Sequence, residues 1–213
     1  AYLAAGSEIV LAPTFGANRA LLANHGLESC VQDYNRRLVS LSREAVGHRA
    51  LLAGDMTTTG QPVLPEDTAA YARLLEIYTE QASALLEADV DLFFVETMMG
   101  LTESMAAVEA IRALTDRAIV CTMSVQSDGR CYFDGSVYDA AQTLPELGAD
   151  AVGVNCSSGP DQLESVVRTL RAETTVPVAA KPNAGLPEIR DDGTAVYDMT
   201  PQAFAAHMTA LIS

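Results

Sequence analysis

Short apolar runs alternate with longer amphipathic stretches along the whole chain. Six runs are apolar at nearly every position, and the stretches between them, such as Ala69–Glu87, carry the period of a helix. Runs without polar alternation are typical of parallel strands covered on both faces, and the stretches between them are long enough for crossover helices. The pattern predicts strands at Glu8–Phe15, Ala50–Asp55, Asp91–Thr97, Ala118–Val125, Ala151–Cys156 and Val176–Lys181.

Residues typical of helix ends agree with these six βα units. Acidic or Pro-containing helix starts occur at Pro65-Glu-Asp-Thr, Leu101-Thr-Glu and Gly159-Pro-Asp. Glycines stand where helices should stop, at Gly6, Gly47 and Gly148. No linker or low-complexity tract interrupts the pattern, so we predict one domain over residues 1–213.

The number of units indicates the architecture. Ala1–Gly6 reads as the last turns of a helix, and Pro201–Ser213 reads as a helix with no strand after it, so a unit is expected to be missing on each side. Eight units close a (β/α)8 barrel, whereas six leave two strand edges unpaired. We therefore predict an α/β fold, an incomplete (β/α)8 TIM barrel, whose isolated chain is poorly soluble or associates with a partner, including another copy of itself.

An open doubly wound sheet is the alternative architecture. It would need a nucleotide-type turn after its first strand, and neither GxGxxG nor GxxxxGK[ST] occurs in the sequence. The barrel is therefore the preferred prediction.

Composition narrows the classes of partner. Lys and Arg total 13 against 28 Asp and Glu, a formal net charge of −15, which opposes binding to nucleic acid or anionic lipid. The four cysteines are widely spaced without a CxxC motif, and neither a secretory signal nor a membrane-spanning apolar run is present. We expect a soluble protein of a reducing compartment, the cytoplasm, that acts on small molecules or other proteins.

Glu96 follows four apolar residues at the end of the third predicted strand. A carboxylate in such a place is costly to bury without a partner, so it should face a cavity or a cation, for which a substrate ammonium is suitable. The alternative is a structural carboxylate that accepts hydrogen bonds from the first amides of the following helix.

Cys156 ends the fifth predicted strand, between Asn155 and a Ser-Ser-Gly-Pro helix entry that favours a thiolate. A thiol there could hold a soft metal, although a lone cysteine is more often inert. Cys121 is expected to be a small buried residue, and Cys30 and Cys131 ordinary free thiols. Because none of the three histidines follows a predicted strand, histidine-driven hydrolysis is not expected.

Taken together, several motifs resemble the homocysteine S-methyltransferase domain, especially its cobalamin-dependent methionine synthase and betaine-using branches. The likeness covers nearly the whole chain, and its most specific part is GVNC followed about 25 residues later by PNAG. The motifs are Thr14-Phe-Gly-Ala-Asn-Arg19, His25-Gly-Leu-Glu28, Val95-Glu-Thr-Met98, Gly153-Val-Asn-Cys156 with Gly159-Pro160, and Lys181-Pro-Asn-Ala-Gly-Leu-Pro187.

This resemblance implies zinc-dependent transfer of a methyl group to the thiol of homocysteine or a related compound, giving methionine. It implies a zinc ion held by three cysteines, of which Cys156 matches one and the adjacent pair has no counterpart here. Glu96 matches the acid that receives the amino group of homocysteine. Thr14, Asn155 and Asn183 match polar residues that line the same open end of the barrel. The implied methyl donor is a corrinoid protein, betaine or a sulfonium compound.

The loop Asp55-Met-Thr-Thr-Thr-Gly60 departs from the family's usual turn, which leaves the choice of donor and acceptor open. Two other functions remain open at this point. One is a non-catalytic homologue or scaffold without a complete zinc site, and the other is a Schiff-base aldolase that uses Lys181 as its amine.

Overall fold

A computed structural model describes residues 1–185, 188–197 and 199–212. All six predicted strands are present, and each pairs in parallel with the next strand of the chain. They are β1 (Ile9–Leu11), β2 (Leu51–Thr57), β3 (Leu92–Met98), β4 (Ile119–Met123), β5 (Ala151–Asn155) and β6 (Val178–Lys181).

Seven α-helices lie within the described residues. They are α1 (Arg19–Ala23), α2 (Val31–Val46), α3 (Thr68–Glu87), α4 (Leu101–Arg112), α5 (Val137–Glu146), α6 (Pro160–Glu173) and α7 (Pro201–Ile212). Short 3-10 helices occupy Tyr2–Ala5 and Glu28–Cys30. The predicted helix starts are confirmed: Asp67 accepts a hydrogen bond from Ala70 N at 2.8 Å to cap α3, and Pro160 opens α6.

The order of the strands decides between the two predicted architectures. The sheet runs β1-β2-β3-β4-β5-β6 without any reversal. Parallel crossovers are almost always right-handed, so a sheet that grows in one direction places all its helices on one face and curls. A doubly wound sheet reverses its order, so the fold is the predicted incomplete (β/α)8 barrel, with β1 and β6 at its edges.

Side chains of the sheet alternate between a face covered by helices and a concave inner face. Met56, Phe93, Val95, Cys121 and Met123 lie on the covered face and are fully or almost fully buried. The burial of Cys121 confirms its prediction as a small core residue. On the inner face the register aligns polar side chains at the carboxyl ends of the strands.

The structure corrects three details of the prediction. The first strand is shorter than Glu8–Phe15, because Pro13 has no N–H to donate and the chain turns away after Ala12. Cys131, expected in a polar loop, is 6% exposed and contacts Met123. An antiparallel pair, β7 (Glu188–Ile189) and β8 (Ala195–Val196), precedes the final helix where no element was predicted.

Among the described residues, no helix combines the length and the apolar character that crossing a membrane requires.

Candidate active site at the carboxyl edge of the sheet

Glu96 and Lys181 form an ion pair on the inner face, at the ends of β3 and β6. The Glu96 side chain is 9% exposed and the Lys181 side chain 47% exposed. The ammonium also lies 5.4 Å from the centroid of the Phe94 ring, within reach of a cation–π interaction. The predicted need of Glu96 for a cation is thus met within the chain, by a residue 85 positions away.

The alternative role for Glu96, capping the following helix, is wrong. The first amides of α4 are occupied by Asp134: its backbone oxygen accepts from Leu101 N at 3.0 Å, and its Oδ2 accepts from Thr102 N at 3.0 Å. Glu96 therefore remains available to a cation on the concave side.

Asp55 is a second carboxyl group of the inner face, one that the sequence analysis did not single out as a site residue. It lies on β2 beside Phe94 of β3, is 5% exposed, and its Oδ1 has no hydrogen-bond partner among the described residues. Burial first, and the charge of Glu96 second, raise the pKa of Asp55 to about 8, although the Lys181 ammonium lowers it. Asp55 could have been recognised in the sequence by the pattern that identified Glu96, an acidic residue directly after an apolar run.

Asn155 links the ends of three strands from a fully buried position. Its Oδ1 accepts from Thr97 N and from the Thr122 hydroxyl, both at 2.8 Å, and its Nδ2 donates to Thr97 Oγ1 at 2.7 Å. Thr97 has φ +60°, which is strained for a β-branched residue and persists only where its surroundings hold it. The Asn155 amide therefore shapes the backbone directly after Glu96.

Cys156 follows β5 and presents an exposed thiol. Its backbone is held on two sides, since its N donates to Lys181 O at 3.4 Å and its O accepts from the Ser124 hydroxyl at 3.1 Å. Its φ of +49° turns the chain away from the strand direction. The thiol thus stands at the same edge as Lys181, one residue beyond the Asn155 network.

The other two predicted site residues hold backbone in place. The buried Thr14 hydroxyl donates to Asp55 O at 2.8 Å and accepts from Asp55 N at 3.0 Å, so it ties the end of β1 to β2. Asn183 is half-buried, and its N donates to Ser158 O at 3.0 Å. The loops after β5 and β6 are thereby joined beside Cys156.

Glu103 of α4 anchors the loop after β2. This carboxylate is 2% exposed and accepts hydrogen bonds from the Thr58 hydroxyl, from Thr59 N and Oγ1 at 2.7 Å each, and from the Tyr78 hydroxyl at 2.8 Å. The unusual loop Asp55–Gly60 therefore has a defined conformation at the edge of the site.

We expect Glu103→Gln to lower the free energy of unfolding by about 2–3 kcal/mol, because the amide nitrogen faces donors and the remaining bonds lose their charge. Glu109→Gln is the matched control, since Glu109 of the same helix accepts one hydrogen bond, from Tyr71, and should cost less than about 1 kcal/mol. Urea denaturation measures both. An equal loss in the two variants would contradict the anchoring role.

A zinc ion is not accommodated by these residues alone. No group of three His, Cys, Asp or Glu side chains within the described ranges has the geometry to hold a metal. Cys121 lies on the helix-covered face of the sheet and Cys131 packs against Met123 of that face, so neither thiol is placed beside Cys156. Burial also raises the pKa of each of these two thiols to about 12. One exposed thiol is therefore the chain's described contribution to such a site.

The family model described as homocysteine S-methyltransferase matches residues 1–213. The chain belongs to the homocysteine S-methyltransferase family. It is 27% identical over 224 residues to methionine synthases of Mycobacterium tuberculosis and Mycobacterium leprae, covering 100% of this chain and 18% of each relative. The chain thus spans about a fifth of the length of the curated relatives it matches.

Solved structures with the same fold include the homocysteine methyltransferase MmuM from Escherichia coli. Its oxidized form superposes with a TM-score of 0.74 at 20% identity, covering 85% of this chain and 68% of that one. Its metallated form gives a TM-score of 0.71 at 21% identity, covering 97% and 74%. At this level of identity the likeness supports the barrel-type fold of this homocysteine S-methyltransferase family member.

Proposed function

We propose that this chain binds homocysteine or a related amino thiol and presents its sulfur to a methyl donor, giving methionine. The family supports the reaction class, and the observation that carries the proposal is Glu96. It is a nearly buried carboxylate on the concave face, engaged by a cation, at the same edge as an exposed thiol.

In this proposal, Glu96 receives the ammonium group of the acceptor. Asn155 holds the backbone of Thr97 and thereby fixes the direction of the Glu96 side chain. Thr14 and Asn183 hold the strand ends that form the walls of the mouth. These residues bind and orient the acceptor, while the reacting groups belong to the acceptor and the donor.

The chemical step is a displacement at carbon. The acceptor thiol loses its proton to solvent, its sulfur forms a bond to the methyl carbon, and the bond from that carbon to the donor breaks, leaving its electron pair on the donor. A free thiol with a pKa near 8.5 is mostly protonated at neutral pH, so the step needs a way to generate the thiolate.

Zinc coordination is one such way, and we propose Cys156 as one thiolate ligand. Because the described residues contain no group of three side chains that could hold a metal ion, such a site would depend on ligands outside them. The donor is proposed to be a corrinoid protein, betaine or a sulfonium compound. All four cysteines are free, which supports a reducing, cytoplasmic setting.

Methyl transfer in the full-length protein tests this function. We expect Cys156→Ala to lower the rate of methionine formation at least hundredfold, and Glu96→Gln to raise the KM for homocysteine at least tenfold by removing the charge that meets the ammonium. Cys30→Ala, at a half-buried thiol of a 3-10 helix, is the matched control and should retain activity.

Two results would decide against the proposal. Unchanged activity of Cys156→Ala would remove the thiol from the reaction. A wild-type protein that neither binds homocysteine nor transfers a methyl group to it would instead support the non-catalytic alternative. The aldolase alternative is not favoured, because the Lys181 ammonium is engaged by Glu96.

A further inference from the structure

Asp55 places a second carboxyl group beside the Glu96–Lys181 pair. Asp55 is aligned with Phe94, and Thr57, two residues further along β2, is aligned with Glu96, so both carboxyls belong to the inner face. The Asp55 residue is 5% exposed, and its buried Oδ1 has no hydrogen-bond partner in the described part of the chain. An unpartnered buried carboxyl oxygen is costly, so its presence requires an explanation.

Lys181 is positioned to serve either carboxyl. Its ammonium pairs with Glu96 and lies 5.4 Å from the centroid of the Phe94 ring, and Phe94 is the register neighbour of Asp55. The lysine side chain is 47% exposed and has a flexible four-carbon stem, so its tip is free to turn. The site thus holds two carboxyl groups and one ammonium group, so one carboxyl group is left to pair with a second cation.

We propose that Asp55 is the second anionic group of the acceptor site. When the ammonium of an amino thiol takes Glu96, Lys181 turns to Asp55, whose carboxyl group releases its proton to solvent. This inference rests on the proposed function, and it restricts the acceptor to thiols that carry an ammonium group. No covalent bond other than the O–H bond of Asp55 changes.

The electrostatics of the unliganded site agree with this exchange. The charged groups that act on Asp55 are Glu96 from β3 and Lys181 from β6, and with them its pKa is about 8, so it is mostly protonated near pH 7. A second cation neutralises Glu96 and frees Lys181, and both changes favour the ionised form of Asp55. Binding of the acceptor and release of one proton are therefore linked.

Calorimetry with L-methionine as the probe tests the link. Methionine carries the ammonium but no ionisable thiol, so a proton released on binding does not come from the sulfur. We expect the full-length protein at pH 7 to release about 0.9 proton per bound methionine, the protonated fraction for a pKa of about 8. Comparing binding heats in phosphate and Tris, which differ in ionisation heat, gives this number.

Two variants and one control identify the group that releases the proton when methionine binds. Asp55→Asn should bind methionine more weakly and release no proton. Lys181→Met should also release much less than the wild type, because no ammonium then moves to Asp55. Asp116→Asn, at an exposed position in the loop before β4 and thus at the opposite end of the strand from the site, should release the same amount as the wild type.

The outcomes separate this inference from the proposed function. Methionine binding without proton release in the wild type overturns the inference and leaves the proposed function standing. If neither methionine nor homocysteine binds, the proposed function fails and the inference fails with it. Should Asp55→Asn not fold, carbon-13 NMR of the wild-type aspartate carboxyls decides. The Asp55 titration must move from near pH 8 to about pH 6 or below with methionine, and an unmoved titration overturns the inference.

Discussion

Replacing Gly153 by alanine is expected to lower the free energy of unfolding by at least about 3 kcal/mol. Gly153 lies in β5, and a Cβ atom built on it would stand 1.8 Å from the carbonyl oxygen and 2.7 Å from the carbonyl carbon of Ala179 in β6. Because the atoms that clash with the added Cβ belong to the backbone, no side-chain rotation relieves the clash, and β5 and β6 must separate. Because both strands end at the candidate site, methyl transfer should be lost together with stability.

Gly16→Ala is the matched control for this prediction. Gly16 has no positive φ, and its nearest neighbour would be Leu21 Cδ1 at 3.8 Å, an ordinary contact. We expect a change of less than about 0.5 kcal/mol, as at other surface positions. Guanidinium denaturation of the two variants measures the difference, and a Gly153→Ala protein as stable as Gly16→Ala would refute the close strand approach.

Asp55→Asn is expected to stabilise the protein, and to do so increasingly as the pH rises. The folded-state pKa of about 8 lies above the ordinary aspartate value of 3.8, so between about pH 4 and pH 8 the folded protein keeps a proton that the unfolded chain has lost. Stability contributed by the protonated Asp55 is therefore complete below about pH 4 and is lost as the pH rises towards 8. The difference in pKa corresponds to roughly 6 kcal/mol.

Denaturation of wild type and Asp55→Asn at pH 4, 6 and 8 gives the dependence. The two proteins should have similar stability at pH 4, and the variant should be more stable by several kcal/mol at pH 8. Other titrating groups cancel in the comparison, since they are common to both proteins. A difference that does not change with pH would show that Asp55 titrates normally in the folded state.

The candidate site was partly predictable because one rule applies to every parallel strand. Polar residues that follow buried strands meet at one edge, and this rule selected Glu96 and Cys156 from the sequence. Asn155, by contrast, was expected at the site only because of the family resemblance. It applies equally to Asp55 and Lys181. However, Asp55 was assigned only to the end of the second predicted strand and to the loop that departs from the family, and Lys181 was considered only as the amine of an aldolase. The sequence alone did not show that Lys181 pairs with Glu96 or that Asp55 lies beside this pair.

The sequence by itself determined the six strands, their parallel order and the helices between them, because periodicity, apolar runs and helix-end residues act over a few neighbouring positions. Only the tertiary structure decided that Lys181 neutralises Glu96 from 85 residues away, that a buried oxygen of Asp55 has no partner within the described chain, and that Asn155 holds Thr97 in a left-handed conformation. These facts depend on the register of separate strands and on the curvature of the sheet, which bring distant side chains within contact distance.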